Sequence, residues 1–216
     1  VIGFFLIYIA IKKEYEPMLL LPIGFGAILT NIPMSSAVGE GGFLTILYDA
    51  GIKTELFPIL IFIAVGAMID FSPLLKQPVM LFFGAAAQFG IFAAMFLAAS
   101  SGKFSLQESA AIGIIGAADG PTSIYVANKF ARDYIGPISV AAYSYMALVP
   151  LIQPPVIRLL TTKKERQIKM EADYNAKVSK KVLIAFPILV TVIAGIIAPI
   201  SVGLVGALMF GNLVRE

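Results

Sequence analysis

The chain has 216 residues, 59% of them hydrophobic and only 13% charged, with a mean hydropathy of +0.91. It contains neither cysteine nor histidine, which excludes disulfides, thiolate nucleophiles, imidazole bases and the usual zinc and haem sites. The formal charge of +3 and the pI near 9.1 come from loops flanking apolar runs, a mark of membrane topology rather than of nucleic-acid binding.

No charge occurs over residues 17–39, 77–102, 134–157 or 182–214. A bilayer core of about 30 Å needs roughly 20 helical residues, so several of these runs can span. The fold class is therefore all-α, a polytopic transmembrane helical protein. It reads as one membrane domain over 1–216, incomplete, with transmembrane or re-entrant segments at about 1–11, 17–32, 56–70, 78–100, 106–130, 135–160, 182–198 and 200–214.

The first segment, "VIGFFLIYIA", begins mid-stretch without an initiator methionine or a basic leader, so it reads as the edge of a longer polypeptide and not as a signal peptide. The second carries Pro22, Gly24 and Gly26, residues of a bent or closely packed helix. A loop with an amphipathic piece at 43–48 follows. Its "GEGG" at 39–42 has neither the lysine nor the preceding strand of a phosphate loop. The apolar stretch 56–69 rises only about 21 Å as a helix, too little to cross unaided. Residues 79–100 are the clearest full span, and Gly84, Ala85, Ala86 and Ala87 would let a neighbour approach closely.

The 106–130 stretch contains "GAADGPTS" at 116–123. A carboxylate at bilayer depth costs several kcal/mol on insertion scales, yet Asp119 sits beside Gly120 and Pro121, which interrupt regular helical bonding. Non-helical backbone survives at that depth only against protein or a water-filled cavity. Broken helices of this kind hold Na⁺ or protons in secondary transporters, through unwound carbonyls, hydroxyls and carboxylates. Thr122 and Ser123 supply hydroxyls directly after the break, and oxygen ligands suit a hard cation such as Na⁺. The plainer reading is an aspartate that caps a broken helix or pairs with a lysine.

Residues 135–160 carry four prolines and the deep phenol of Tyr145, in "VAAYSYMALVP", able to ligate an ion or to donate a proton. Tyr143 reads as packing or an interfacial residue, and Gln88 and Asn128 as interhelical hydrogen bonds. The loop at about 161–181 is strongly basic: residues 158–181 hold eight of the sixteen basic residues, cytoplasmic by the positive-inside bias and a surface for anionic lipids or a partner. Counting back from it, a re-entrant hairpin at 106–130 puts Lys12 and Lys13 inside and Glu40, Asp49 and Glu55 outside. A complete crossing inverts both, against the rule. The last apolar run, too long for one span, reads as two helices joined near "APIS".

The blocks "GAADGPTSIYVANKFA", "VAAYSYMALVPLIQPPVIRLLTTKKER", "PIGFGAILTNIP" and "LFPILIFIAVGAMIDFSPLL" resemble the β subunit of biotin-dependent, sodium-pumping decarboxylases, which act on oxaloacetate, methylmalonyl-CoA or glutaconyl-CoA. The resemblance covers essentially the whole chain. It implies a membrane translocase subunit that decarboxylates carboxybiotin, consumes a proton and exports Na⁺ across a bacterial or archaeal cytoplasmic membrane. Carboxybiotin would arrive on a biotin carrier protein charged by an α subunit carboxyltransferase, with a small γ/δ membrane subunit as further partner and no covalent cofactor on this chain. The family's acidic residue maps onto Asp119 and its functional tyrosine onto Tyr145, making these two the catalytic candidates; Na⁺ ligation falls to Asp119, Thr122, Ser123 and Tyr145. Family members continue beyond "FGNLVRE" into a second half, so the chain is expected to be half of an inverted-repeat transporter fold. Two rival functions remain: a stand-alone cation-coupled transporter for an organic acid, built on the same broken helix, and an inert membrane anchor.

Overall fold

The computed structural model describes residues 1–169 and 178–216; residues 170–177 of the basic loop lie outside the described residues. Every regular element among the described residues is helical. α1 (Ile2–Lys13) and α2 (Pro17–Thr30) form a hairpin turned at Glu14 and Glu16, both with positive φ. A loop leads to α3 (Phe43–Leu47), which widens into a π turn at Tyr48–Ile52 before a 66° bend starts α4 (Leu56–Met68). A short α5 (Ser72–Lys76) and a 3-10 turn at Pro78–Met80 feed α6 (Leu81–Ser100). α7 (Leu106–Gly113), a 3-10 turn at Ile114–Ala117 and α8 (Gly120–Phe130) follow. α9 (Ile135–Leu160) bends by 59° between Met146 and Leu151. α10 (Lys163–Arg166) opens the basic loop, and a 3-10 turn at Pro199–Ser201 separates α11 (Lys180–Ile197) from α12 (Val202–Arg215).

Pro78–Ser100 and Lys180–Ile197 are each long and apolar enough to cross a membrane, and the two bent helix pairs raise the number of candidate spans to four. The protein is an all-α, polytopic membrane protein.

Three contacts fix which helix ends lie together. Phe71, between α4 and α5, meets Phe186 in the first half of α11 with ring centroids 5.2 Å apart and the rings tilted by 48°, so α4 ends nearer the Lys180 end of α11 than its Ile197 end. Glu55, just before α4, meets Lys129 near the end of α8 at 3.0 Å. Phe104, just before α7, meets Tyr134, just before α9, edge-on with ring centroids 6.0 Å apart. The 106–130 stretch therefore leaves and returns at one end of the molecule, opposite the basic loop. Of the two courses the sequence leaves open, the contacts show the hairpin. Ala111 of α7 is buried with Ala127 of α8, Ala131, and Ile135 and Ile138 of α9, so the descending and returning arms share one small core. Alanine on the facing positions is what allows two helices and a third to meet there.

Elsewhere the packing also depends on small residues. Where α4 crosses α12, a Cβ on Gly66 would clash with the Leu208 carbonyl oxygen, and one on Gly211 with that of Ile63. No side chain fits on either. Asn212, 2% exposed beside this crossing, donates from Nδ2 to the Ile69 carbonyl at 3.0 Å, and the Arg215 guanidinium reaches the same oxygen. Carbonyls at the end of a helix have no partner within it, so α12 closes the end of α4.

The hairpin is open to a labelling test, helped by the lack of cysteine. Single cysteines at Lys103→Cys and Asp133→Cys react with an impermeant maleimide from the same membrane side, and Thr162→Cys from the other. A complete crossing would place the first two on opposite sides.

Candidate cation site at the hairpin tip

The hairpin starts on a capping box: Ser105 Oγ accepts the Glu108 amide at 3.2 Å while the Glu108 carboxylate accepts the Ser105 amide at 2.7 Å. This reciprocal pair satisfies two donors at the start of α7. Eight residues later α7 ends at Gly113, where α6 leaves no room for a side chain. A Cβ on Gly113 would stand 2.8 Å from the Ile91 carbonyl oxygen and from Met95 Cβ, and one on Gly116 would stand 3.5 Å from Gly90 and Ile91. Gly90 and Ile91 are the middle of α6. The tip of the hairpin is therefore at half the depth of a full-length span.

At that depth the backbone leaves helical geometry. Ala118 adopts the left-handed region at φ 55°, and Asp119 is extended at φ −128° before Gly120 and Pro121 start α8. A non-glycine residue in the left-handed region is uncommon and marks a site held by its surroundings. Among the described residues, the carbonyls of Gly116, Ala117 and Ala118 accept no hydrogen bond from the backbone beyond the turn. They are free acceptors beside a carboxylate.

Asp119 caps α8. Its Oδ1 accepts the Thr122 amide at 3.4 Å, and its Oδ2 accepts a short hydrogen bond from the Thr122 hydroxyl. Ser123 is fully buried and turns its hydroxyl back onto the Asp119 carbonyl, 2.8 Å away. Asp119, Thr122 and Ser123 thus meet in one turn. Asp119 and Thr122 present oxygen to the tip, while Ser123 fixes the backbone beneath them. Asp119 itself is half-buried, and a negative group at a helix N-terminus is favoured by the helix dipole.

The tip rests on α9. Gly120 donates its amide to Met146 Sδ at 3.2 Å, and a Cβ on Gly120 would stand 2.7 Å from Tyr143 Cε1 and Cζ. Tyr143, read from the sequence as packing, is the phenol that closes on the break. Tyr145 is 39% exposed, and among the described residues no hydrogen bond joins it to Asp119. Two residues along a helix turn through about 200°, so one face of α9 cannot present both phenols to the tip. The spacing of the two tyrosines was visible in the sequence; which of them faces Asp119 depends on how α9 is rotated.

Among the described residues no group of three acidic side chains could hold a metal ion. The donor set at the tip is one carboxylate, one hydroxyl and neutral carbonyls, all hard oxygens carrying a single negative charge. That composition fits a monovalent cation better than a divalent one, which usually recruits several carboxylates.

Over residues 1–216 the chain matches the family described as the Na⁺-transporting oxaloacetate decarboxylase beta subunit. The chain belongs to this family. Its relatives include the methylmalonyl-CoA decarboxylase subunit beta of Veillonella parvula, 53% identical over 215 residues, covering 100% of this chain and 56% of the relative. The glutaconyl-CoA decarboxylase subunit beta of Acidaminococcus fermentans is 50% identical over 215 residues, with the same 100% and 56% covered. The oxaloacetate decarboxylase beta chain of Klebsiella pneumoniae is 40% identical over 275 aligned residues, covering 100% of this chain and 63% of the relative. The chain thus spans between 56% and 63% of the length of these three family members.

The fit of Tyr143 over Gly120 can be measured. Gly120→Val forces the ring aside and lowers stability by about 1–3 kcal/mol, the usual penalty for overpacking, read as a lower unfolding midpoint in detergent. Tyr143→Ala costs less stability in the Gly120→Val background than in wild type, because the two changes share one contact.

Proposed function

We propose that this chain forms part of the membrane subunit of a sodium-pumping decarboxylase, in which decarboxylation of carboxybiotin drives Na⁺ export across a cytoplasmic membrane. Family membership supplies the reaction class. The observation that carries the residue assignment is the hairpin tip: a carboxylate at mid-depth, beside free carbonyls and a hydroxyl, where the helix is interrupted.

In this reading Asp119 is the Na⁺ ligand that carries the charge, with the Thr122 hydroxyl and tip carbonyls as neutral ligands and Ser123 as the group that holds the loop. Carboxybiotin is brought by a biotin carrier protein, loaded by an α subunit carboxyltransferase, in a complex that includes a small γ/δ membrane subunit. Decarboxylation breaks the bond between the ring nitrogen and the carboxylate, releases CO₂ and leaves the nitrogen to take up a proton. Tyr143 lies against the residue next to Asp119, and Tyr145 lies one helical face away. Tyr143 is the phenol nearest the tip, and the role of ligand or proton relay that the family resemblance implies for Tyr145 would be exercised away from Asp119, on the face of α9 turned from the tip. The relatives' names divide between two acyl-CoA substrates and oxaloacetate, and that choice belongs to the carboxyltransferase.

Asp119→Asn removes the charge and little volume. In the full-length complex we expect Na⁺-stimulated decarboxylation of free carboxybiotin to fall at least about 100-fold, with assembly and co-purification of the biotinylated partner intact. An inert anchor would lose nothing; a stand-alone transporter would never show the activity. Full activity at low Na⁺ in the variant removes Asp119 from the site.

Protons and Na⁺ compete for one carboxylate in this scheme, and protonation removes the charge that attracts the cation. The Na⁺ concentration for half-maximal activity therefore rises as pH falls. Titrations of rate against Na⁺ at several pH values measure it, and a pH-independent value would rule out shared ligation.

A further inference from the structure

The far end of α8 is tied down as carefully as its start, and by groups with no part in the tip. Asn128, 3% exposed, donates from Nδ2 to the Lys53 carbonyl at 3.2 Å and to Glu55 Oε1 at 3.1 Å. The same Glu55 oxygen pairs with Lys129 Nζ at 3.0 Å. Lys129 also lies over the Tyr125 ring, 5.4 Å from its centroid, and Arg132 Nε closes on the Asn128 carbonyl at 3.1 Å. The side chain of Glu55 is 16% exposed. Its backbone is held at φ 64°, in the left-handed region, where it forms the N-cap of α4. A glutamate kept in that conformation is held by its partners.

These contacts have a mechanical consequence. Of the two ion pairs among the described residues, Lys53–Asp49 lies within a single turn, whereas Lys129–Glu55 joins segments far apart in sequence. It links the returning arm of the hairpin to the loop before α4, not to α9, which holds the tip. α8 is eleven residues long and unbroken, so a shift at Lys129 is carried to Asp119, about 15 Å away along the axis. A helix fixed at both ends has its depth and rotation set; without the latch α8 keeps only its alanine contacts with α7 and α9 and the weak amide-to-sulfur contact at Gly120, which resist sliding and turning less than a directional ion pair does.

We propose that Glu55, Asn128 and Lys129 form a latch that sets the height and rotation of α8, and that Glu55 is a positioning residue for cation binding at Asp119. This rests on the proposed role of Asp119 as the cation ligand. Glu55 touches neither the cation nor the substrate. It acts through the helix.

The test uses the full-length complex and measures decarboxylation of free carboxybiotin against Na⁺. Glu55→Gln keeps the size and one acceptor oxygen but loses the ion pair. The expected result is a rise of about three- to ten-fold in half-saturating Na⁺, the range typical of mutations that act through a packed network, with the maximal rate within about two-fold of wild type. The charge swap Glu55→Lys with Lys129→Glu restores an ion pair of opposite polarity and brings half-saturating Na⁺ back toward wild type. Unchanged half-saturation in Glu55→Gln overturns the proposal. So does a loss of assembly in both the single variant and the swap, which would make the cluster a folding element alone. Asp119→Asn run in parallel separates the two ideas: if it keeps full Na⁺ dependence the tip assignment fails, whatever Glu55 does, whereas loss in Asp119→Asn with an indifferent Glu55→Gln condemns only the latch.

Discussion

A carboxylate that leaves water for bilayer depth must find its compensation nearby, and the rest of the hairpin is arranged around that requirement. Asp119 obtains part of it from Thr122, which offers both amide and hydroxyl, and part from the start of α8, whose dipole favours a negative group. These interactions place and orient the carboxylate without neutralising it. One negative charge remains at a point where the adjacent carbonyls, also electron-rich, have been released from helical bonding. In the proposed role of Asp119 as a cation ligand, both features would lower the energy of a cation at the tip.

The same requirement accounts for the small residues around the break. A loop with free backbone groups cannot face lipid, so it must be sealed by neighbouring helices at close range. Gly113 allows α6 to lie directly against the descending arm, and Gly120 admits the ring of Tyr143 on the other side. Ala111 and Ala127 let the two arms touch. Each small residue is at a place where backbone, not side chain, must be approached. The α4–α12 crossing repeats the device with Gly66 and Gly211, and there buried Asn212 takes up the carbonyls left at the end of α4.

Much of this was legible from residue order, for physical reasons that differ by feature. Uninterrupted apolar runs speak for themselves, since only helices of about bilayer length can hide that many backbone groups; the all-α membrane fold follows from them. Asp119 stood out because charge, glycine and proline seldom coincide in such a run. Pairings in space are another matter. The contact of Phe104 with Tyr134, which makes 106–130 a hairpin, joins residues thirty positions apart through aromatic packing, and neither sequence neighbourhood announces it. The choice between Tyr143 and Tyr145 depends on the rotation of α9, a helix with apolar residues on most of its faces. Asn128 read as an ordinary interhelical hydrogen bond; its partners turn out to be a loop carbonyl and Glu55, a residue the charge pattern placed in an acidic loop and nothing more.

The tip is covered unevenly. α6 and α9 cover two sides, yet Gly116 and Ala117 remain exposed and Asp119 only half-buried. A monovalent cation drawn from water gives up several oxygens of hydration, and the tip offers a carboxylate, a hydroxyl and a few carbonyls in exchange. The remaining face is open to water, to further protein, or to each in turn. The chain spans between 56% and 63% of the length of its relatives, so this open face is the face of the chain alone, and the proposed cation seat at Asp119 rests on the two sides that α6 and α9 cover.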